Sequence, residues 1–223
     1  MKTAYVFGAT GEIGKTIVSR FESSGYQVVG FSRKSVDGLY SLGTIETLPE
    51  TLTGADCVVW ASGANLNDSI VDYSEENLRD LLEANLFYIT EGLNTLRLAD
   101  LLSPECQLVI ISSVWQGVSK QNKFSYTVSK SSLAGLIHSL AADLSPRGMR
   151  VNGVLPGVVD TKMTRSALAP EQVQRIQEQT PTGMLVSLEE VANLVYFLGT
   201  PESRGINGQS IVVDGGWSVV RYV

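Results

Sequence analysis

Short runs of β-branched and aliphatic residues alternate along the chain with longer stretches whose apolar positions recur at helical spacing. The runs predict strands at Thr3–Phe7, Tyr26–Phe31, Gly38–Leu42, Cys57–Ala61, Gln107–Ser112, Arg150–Leu155 and Ser210–Val213. The longer stretches predict helices over Ile13–Ser24, Ser74–Leu102, Phe124–Leu144, Pro170–Gln179 and Leu188–Leu198. Several strands are continuously apolar instead of alternating, as strands covered on both faces are. Right-handed strand–helix–strand crossovers then build an α/β fold of three layers, a doubly wound parallel sheet between helices. No linker-like tract, repeat or low-complexity segment interrupts the pattern, so residues 1–223 are read as one domain. Between the third and fourth strands only Thr44–Leu52 could supply a helix. The polar, proline-flanked segment Thr161–Val186 follows the carboxyl end of a strand, the edge where open sheets bind ligands, and is expected to be the most mobile part.

Gly8-Ala9-Thr10-Gly11-Glu12-Ile13-Gly14 joins the first strand to the first helix. Glycines there allow a tight turn and a close backbone approach to a pyrophosphate, which then sits at the positive end of the helix. The second strand ends in Phe31-Ser32-Arg33-Lys34, two cations where an NAD-preferring fold places a carboxylate for the ribose diol. Arg33 suits a 2′-phosphate. The expected cofactor is therefore NADP(H), with NAD(H) as the alternative. Glu12 cuts across this reading: facing inward it would repel a phosphate, and facing outward it would favour the helix dipole.

Composition narrows the classes. With 43% hydrophobic and 18% charged residues this is an ordinary globular composition. A net charge of −6 and a pI near 4.9, without a basic run, argue against nucleic-acid binding. No apolar run approaches the roughly 20 residues that span a bilayer, and the amino terminus lacks a signal-type apolar region. Cys57 and Cys106 fall in strands and His138 in a helix, with no metal-ligand spacing among them, so no metal site is expected. A reduced, cytoplasmic setting is the expectation.

The chemistry is carried by Ser125-Tyr126-Thr127-Val128-Ser129-Lys130, with Ser113 thirteen residues before Tyr126. On a helix, positions four apart share a face, which puts the phenol and the ammonium in one cleft. A free tyrosine titrates at roughly 10. An ammonium at ~4 Å, in an effective dielectric of about 20, favours the phenolate by up to about 4 kcal/mol, or roughly three pH units. The sequence thus predicts a tyrosine titrating in a catalytically useful range, with a serine hydroxyl to hold a carbonyl oxygen. Alone, such a pair is also what a surface helix supplies by chance.

In context, the chain resembles the compact, single-domain branch of the short-chain dehydrogenase/reductases. The resemblance rests on the glycine loop, Trp60-Ala61-Ser62-Gly63, Asn85, Ser113, Tyr126, Lys130, Arg150-Val151-Asn152 running to Pro156-Gly157-Val158-Val159-Asp160-Thr161, and Asn207-Gly208-Gln209 running to Asp214-Gly215-Gly216. It implies a Rossmann fold and hydride transfer between a nicotinamide and a small carbonyl or secondary-alcohol substrate. It makes Tyr126 the general acid/base and Lys130 its partner and the ligand of the nicotinamide ribose. Ser113 orients the substrate oxygen, and Asn85 anchors a water relay. The implied nucleotide site comprises Gly8, Thr10, Gly11, Glu12, Ile13, Gly14, Ser32, Arg33, Lys34, Ala61, Ser62, Gly63, Pro156, Gly157, Val159 and Thr161, together with Tyr126 and Lys130. It also implies a homodimer or homotetramer built through the two long helices.

Alternatives stay open at several residues. Asn85 is also a helix-kink or packing residue, Ser112 competes with Ser113, and Thr161 could cap the following helix. His138 reads as a packing or interface residue. Met163, Leu168 and Met184 line a substrate pocket or face the core. Three departures stand out: the glycine spacing matches the longer, nucleotide-sugar-modifying branch, Phe7 replaces a threonine, and the usual Asn-Asn-Ala-Gly turn is Trp60-Ala61-Ser62-Gly63. The rival functions are a nucleotide-sugar epimerase or dehydratase, disfavoured by the short stretch after the last predicted strand, and a catalytically silent dinucleotide sensor or partner-binding protein.

Overall fold

Alternate residues of the first strand feed two separate cores, and this decides the architecture of the computed structural model, which describes residues 1–33, 40 and 51–220. In β1 (Thr3–Phe7) all five residues are buried. Tyr5 and Phe7 enter one core, and Ala4 and Val6 the other, as the two-residue period of a strand requires. The remaining strands are β2 (Gln27–Phe31), β3 (Ala55–Trp60), β4 (Leu102–Ile111), β5 (Arg150–Pro156) and β6 (Ser210–Val213). Among the described residues they form a parallel sheet in the order β2-β1-β3-β4-β5-β6. The order reverses between β1 and β3, which puts a ligand crevice beyond their carboxyl ends.

One face is covered by α1 (Glu12–Glu22) and α7 (Leu188–Leu198), through Ile17, Phe21, Val191 and Val195. The other is covered by α3 (Tyr88–Leu98) and α4 (Phe124–Leu144), through Ile89, Leu93, Leu133 and Ile137. This is the doubly wound, three-layer fold expected. The strands Thr3–Phe7 and Ser210–Val213 and the helices Phe124–Leu144, Pro170–Gln179 and Leu188–Leu198 have the predicted bounds. Of the predicted strand Gly38–Leu42 only Tyr40 is described, and it bridges Phe31 in parallel, with Ser32 N–H donating to its carbonyl at 2.8 Å. The rest of that strand, Lys34, most of Thr44–Leu52 and the last three residues lie outside the described residues.

Two predictions need correction. The helix expected over Ser74–Leu102 is three pieces: α2 (Glu75–Leu82), capped by the Ser74 hydroxyl, a wide π turn over Glu83–Phe87, and α3. It stops at Leu98, and Asp100 takes a left-handed φ of 57° before β4 begins. The segment Thr161–Val186 holds α5 (Lys162–Ala167), not foreseen, and α6 (Pro170–Gln179). Val173 is buried beneath α6, and Val159 pairs with Val186 across the base of the segment. Met163 and Met184 are exposed and do not face the core.

Candidate active site

The glycine loop is shaped by two close approaches. Gly8 has φ +86°, and a Cβ there would stand 2.6 Å from the Ser62 amide nitrogen. A Cβ on Gly14 would fall 2.1 Å from the Gly8 carbonyl oxygen, so the turn and the first helical turn meet with no room for a side chain. Gly11 differs: it caps α1 without a side-chain hydrogen bond, and a Cβ there would meet the Gly8 carbonyl at an ordinary 3.6 Å. The first amides of α1 are thus presented at an uncapped helix end, which is what a pyrophosphate needs. Thr10 and Gly11 are exposed, and Glu12 and Ile13 half-buried.

Glu12, the anomaly of this loop, has a partner. Its Oε2 accepts from Lys162 N–H at 2.9 Å, which puts the carboxylate at the amino terminus of α5. Thr161 caps the same helix: its Oγ1 accepts from Thr164 N–H at 3.0 Å, so the capping alternative describes its hydroxyl here. Gly157 has its own reason to lack a side chain, since a Cβ would stand 2.7 Å from Asp214 Cβ where β5 and β6 end. Pro156 and Val159 are buried or nearly so beside it.

Beneath the loop lies an aromatic layer that accounts for Phe7 and Trp60 together. Phe7 is in register with Phe31 and with Trp60 on the neighbouring strands. Its ring stacks on Phe31 at 4.4 Å and on Trp60 at 5.4 Å, both nearly parallel, with Tyr88 edge-on at 6.1 Å. Each such pair adds roughly 0.5–1.5 kcal/mol beyond area burial. Among the described residues Trp60 Nε1 is buried without a hydrogen-bond partner, so the residue serves by packing.

The turn after β3 lacks the family's asparagines but is tied down by other means. Arg33 Nη2 donates to Gly63 O at 3.4 Å. Asn85, buried in the π turn, accepts from Ala64 N–H at 2.8 Å and donates from Nδ2 to Ala64 O and to Ser129 Oγ, each at 3.0 Å. Both hydrogens of the amide are used, which fixes Asn85 as a clamp between the loop and α4. Ala61 N–H donates to Phe7 O at 2.8 Å. Ser62 Oγ is buried without a partner among the described residues.

Tyr126, Lys130 and Ser113 come together as the spacing implied. Ser113 lies two residues past β4, its Oγ accepting from Trp115 N–H at 3.4 Å and near enough to the Tyr126 phenol to favour the phenolate, while Ser112 Oγ is buried with no partner among the described residues. Lys130 is 4% exposed, its Nζ donates to Ile111 O at 3.3 Å and lies 5.9 Å from the centre of the Tyr126 ring. A Cβ on Gly63 would stand 3.5 Å from that Nζ and 2.9 Å from Asn85 Oδ1, so the loop passes directly over the lysine. The protonation states correct the sequence expectation. Burial raises the Tyr126 pKa, and the nearby Ser113 hydroxyl only partly opposes it. Burial also lowers Lys130 to about 8. Desolvation sets the direction for both groups, because burial disfavours the phenolate and the ammonium alike. The phenol is therefore held protonated at neutral pH.

Sequence reasoning missed a further buried cation. Lys123, the residue just before α4 and three before Tyr126, is 8% exposed and lies 5.2 Å from the same ring centre. Trp115 and Trp217 meet edge-on at 5.6 Å just past Ser113. His138 is exposed on α4. Among the described residues no group of three potential metal ligands occurs, and no helix is long and apolar enough to cross a membrane.

Known proteins carry the same pattern. The family described as enoyl-(acyl carrier protein) reductase matches residues 42–218. A 3-oxoacyl-(acyl-carrier-protein) reductase of Escherichia coli is 28% identical, over 98% of both chains. One of Aquifex aeolicus is 30% identical, over 96% of this chain and 86% of its own. Among solved structures, a short-chain dehydrogenase family protein of Francisella tularensis superposes with a TM-score of 0.86 at 25% identity, covering 99% of this chain and 100% of its own. An aldohexose dehydrogenase of Thermoplasma acidophilum gives 0.86 at 25% identity, over 100% and 96%. The sheet order, the glycine loop over its switch point and this similarity along nearly the whole length make the chain a member of the short-chain dehydrogenase/reductase family of NAD(P)-dependent oxidoreductases.

Proposed function

We propose that the chain is an NADP(H)-dependent carbonyl reductase in which Tyr126 donates the proton. The observation that carries this reading is the meeting of the Tyr126 phenol, whose pKa burial raises, with the Ser113 hydroxyl and buried Lys130 at the carboxyl edge of the sheet. The uncapped amino terminus of α1 fits a pyrophosphate, and Arg33, anchored to Gly63 O, fits a 2′-phosphate. NADPH supplies the hydride when bound. Ser113 Oγ holds the substrate oxygen, and Tyr126 Oη donates to it as negative charge develops. Lys130 regulates the phenolate left behind, since its own charge is easily gained or lost near pH 8. Asn85 acts by position: it locks the loop over Lys130 to α4.

A small carbonyl or alcohol is the substrate class, and the names of the relatives make 3-oxoacyl thioesters the first to try, with aldoses second. The test follows NADPH absorbance at 340 nm over such a panel. Turnover with at least one carbonyl is expected. Tight NADPH binding without turnover of any would favour a dinucleotide sensor instead.

A further inference from the structure

Lys123 is a lysine that the chemistry above leaves unused, yet it is nearly as buried as Lys130. It is the residue just before α4. Its Nζ donates to Asn65 Oδ1 at 2.7 Å and to Leu66 O at 3.3 Å, both in the loop after β3. The same Nζ lies 5.2 Å from the centre of the Tyr126 ring, closer than Lys130 at 5.9 Å. Both distances are within the range of roughly 6 Å over which a cation is drawn to an aromatic face.

The surroundings show that this placement is built. Asp68, buried, accepts from Phe124 N–H through its carbonyl at 3.2 Å and from Ser125 N–H through its carboxylate at 2.9 Å, and also takes the Ser125 hydroxyl. Lys123, Phe124 and Ser125, the three residues before Tyr126, are therefore all fastened to the loop after β3. Burying an ammonium is costly unless something compensates. Two loop acceptors, the ring face and the more distant Asp68 carboxylate offset part of that cost, while burial and then Lys120 leave the Lys123 pKa lowered. The charged groups near the ring are thus Lys123 and Lys130, with Lys120 and Asp68 beyond them.

We propose that Lys123 is a second positioning residue for Tyr126, holding the phenol ring by its face and favouring the phenolate whenever the proton is given up. This rests on the reading of Tyr126 as acid/base. Lys130 approaches from within α4, whereas Lys123 links the ring to the loop that also covers Lys130. Loop placement and tyrosine ionisation become one property.

The test is the pH profile of kcat/KM for alcohol oxidation with NADP⁺ in the full chain, where activity rises as Tyr126 ionises. Lys123→Gln keeps an amide donor for Asn65 and Leu66 but removes the charge. Its profile should move to higher pH by about one unit, the size of a single ring-facing cation. Lys123→Arg should return the midpoint to within a few tenths of wild type. If Gln fails to fold, as judged by melting temperature, Lys123→Met keeps the packed stem and carries the same expectation. A wild-type midpoint in the charge-removed variant, or an Arg variant shifted as far as Gln, overturns the proposal. Tyr126→Phe separates the two levels: full turnover in that variant would refute the acid/base reading itself, independently of Lys123.

Discussion

The two ends of the crevice are built on opposite plans. At the proton-transfer end Asn85, Lys130, Ser113 and Lys123 are all at least nine-tenths buried, and each has a hydrogen-bond partner. At the nucleotide end Thr10, Gly11, Arg33 and Gly63 are exposed, and the helix terminus is uncapped. Its rigidity comes from the stacked layer of Phe31, Phe7 and Trp60 underneath. The contrast teaches where preorganisation resides. Chemistry that depends on pKa and on sub-ångström placement is set by burial before any ligand arrives, whereas nucleotide binding is left to exposed donors and cations.

That contrast can be broken from either side. Trp60→Ala should cost the most stability, about 3–5 kcal/mol, because it opens a cavity under the loop. Trp60→Phe keeps the stack and removes an unpaired N–H, so its loss should stay well under that. Urea unfolding of both variants checks the order, and equal losses would mean that the layer does not act by stacking.

Next comes Lys130, which titrates at about 8 folded against an ordinary 10.5. Its lowered value means no penalty above pH 10.5 and a growing one as pH falls towards 8. Lys130→Met should therefore match wild-type stability at the alkaline end and exceed it by up to about 3 kcal/mol below pH 8, read from unfolding curves across that range. A pH-independent difference would refute the buried-charge account.

At the exposed end the effects should be smaller and confined to binding. Arg33→Ala should weaken NADPH by roughly ten- to hundredfold and NADH hardly at all, as the loss of charge-assisted hydrogen bonds predicts. Fluorescence titration gives both constants, and an unchanged ratio would remove the NADP assignment. Glu12→Gln should change stability by less than about 1 kcal/mol, since an amide oxygen still accepts from Lys162 N–H.

Much of this was readable from the chain. Continuous apolar runs such as Tyr5-Val6-Phe7 and Val58-Val59-Trp60 fix a strand covered on both sides, and the thirteen-residue gap brings Ser113 to Tyr126. What stayed hidden depends on partners distant in sequence. Glu12 looked like a misplaced anion because Lys162, 150 residues away, supplies its donor. Asn85 interrupts a helix to bond Ala64 and Ser129, which no local period reveals. The lowered Tyr126 pKa drawn from the four-residue spacing was wrong in sign, because spacing does not report how deeply both groups are buried.

The central claim is that Tyr126 gives its proton to a bound carbonyl, and Tyr126→Phe tests it most directly. The account predicts that NADPH oxidation with an accepted carbonyl falls by roughly 10²–10⁴-fold, the usual share of general acid catalysis, while the dissociation constant for NADPH stays within about threefold of wild type, the factor set by losing one modest hydrogen bond at most. Wild-type turnover in that variant would contradict it.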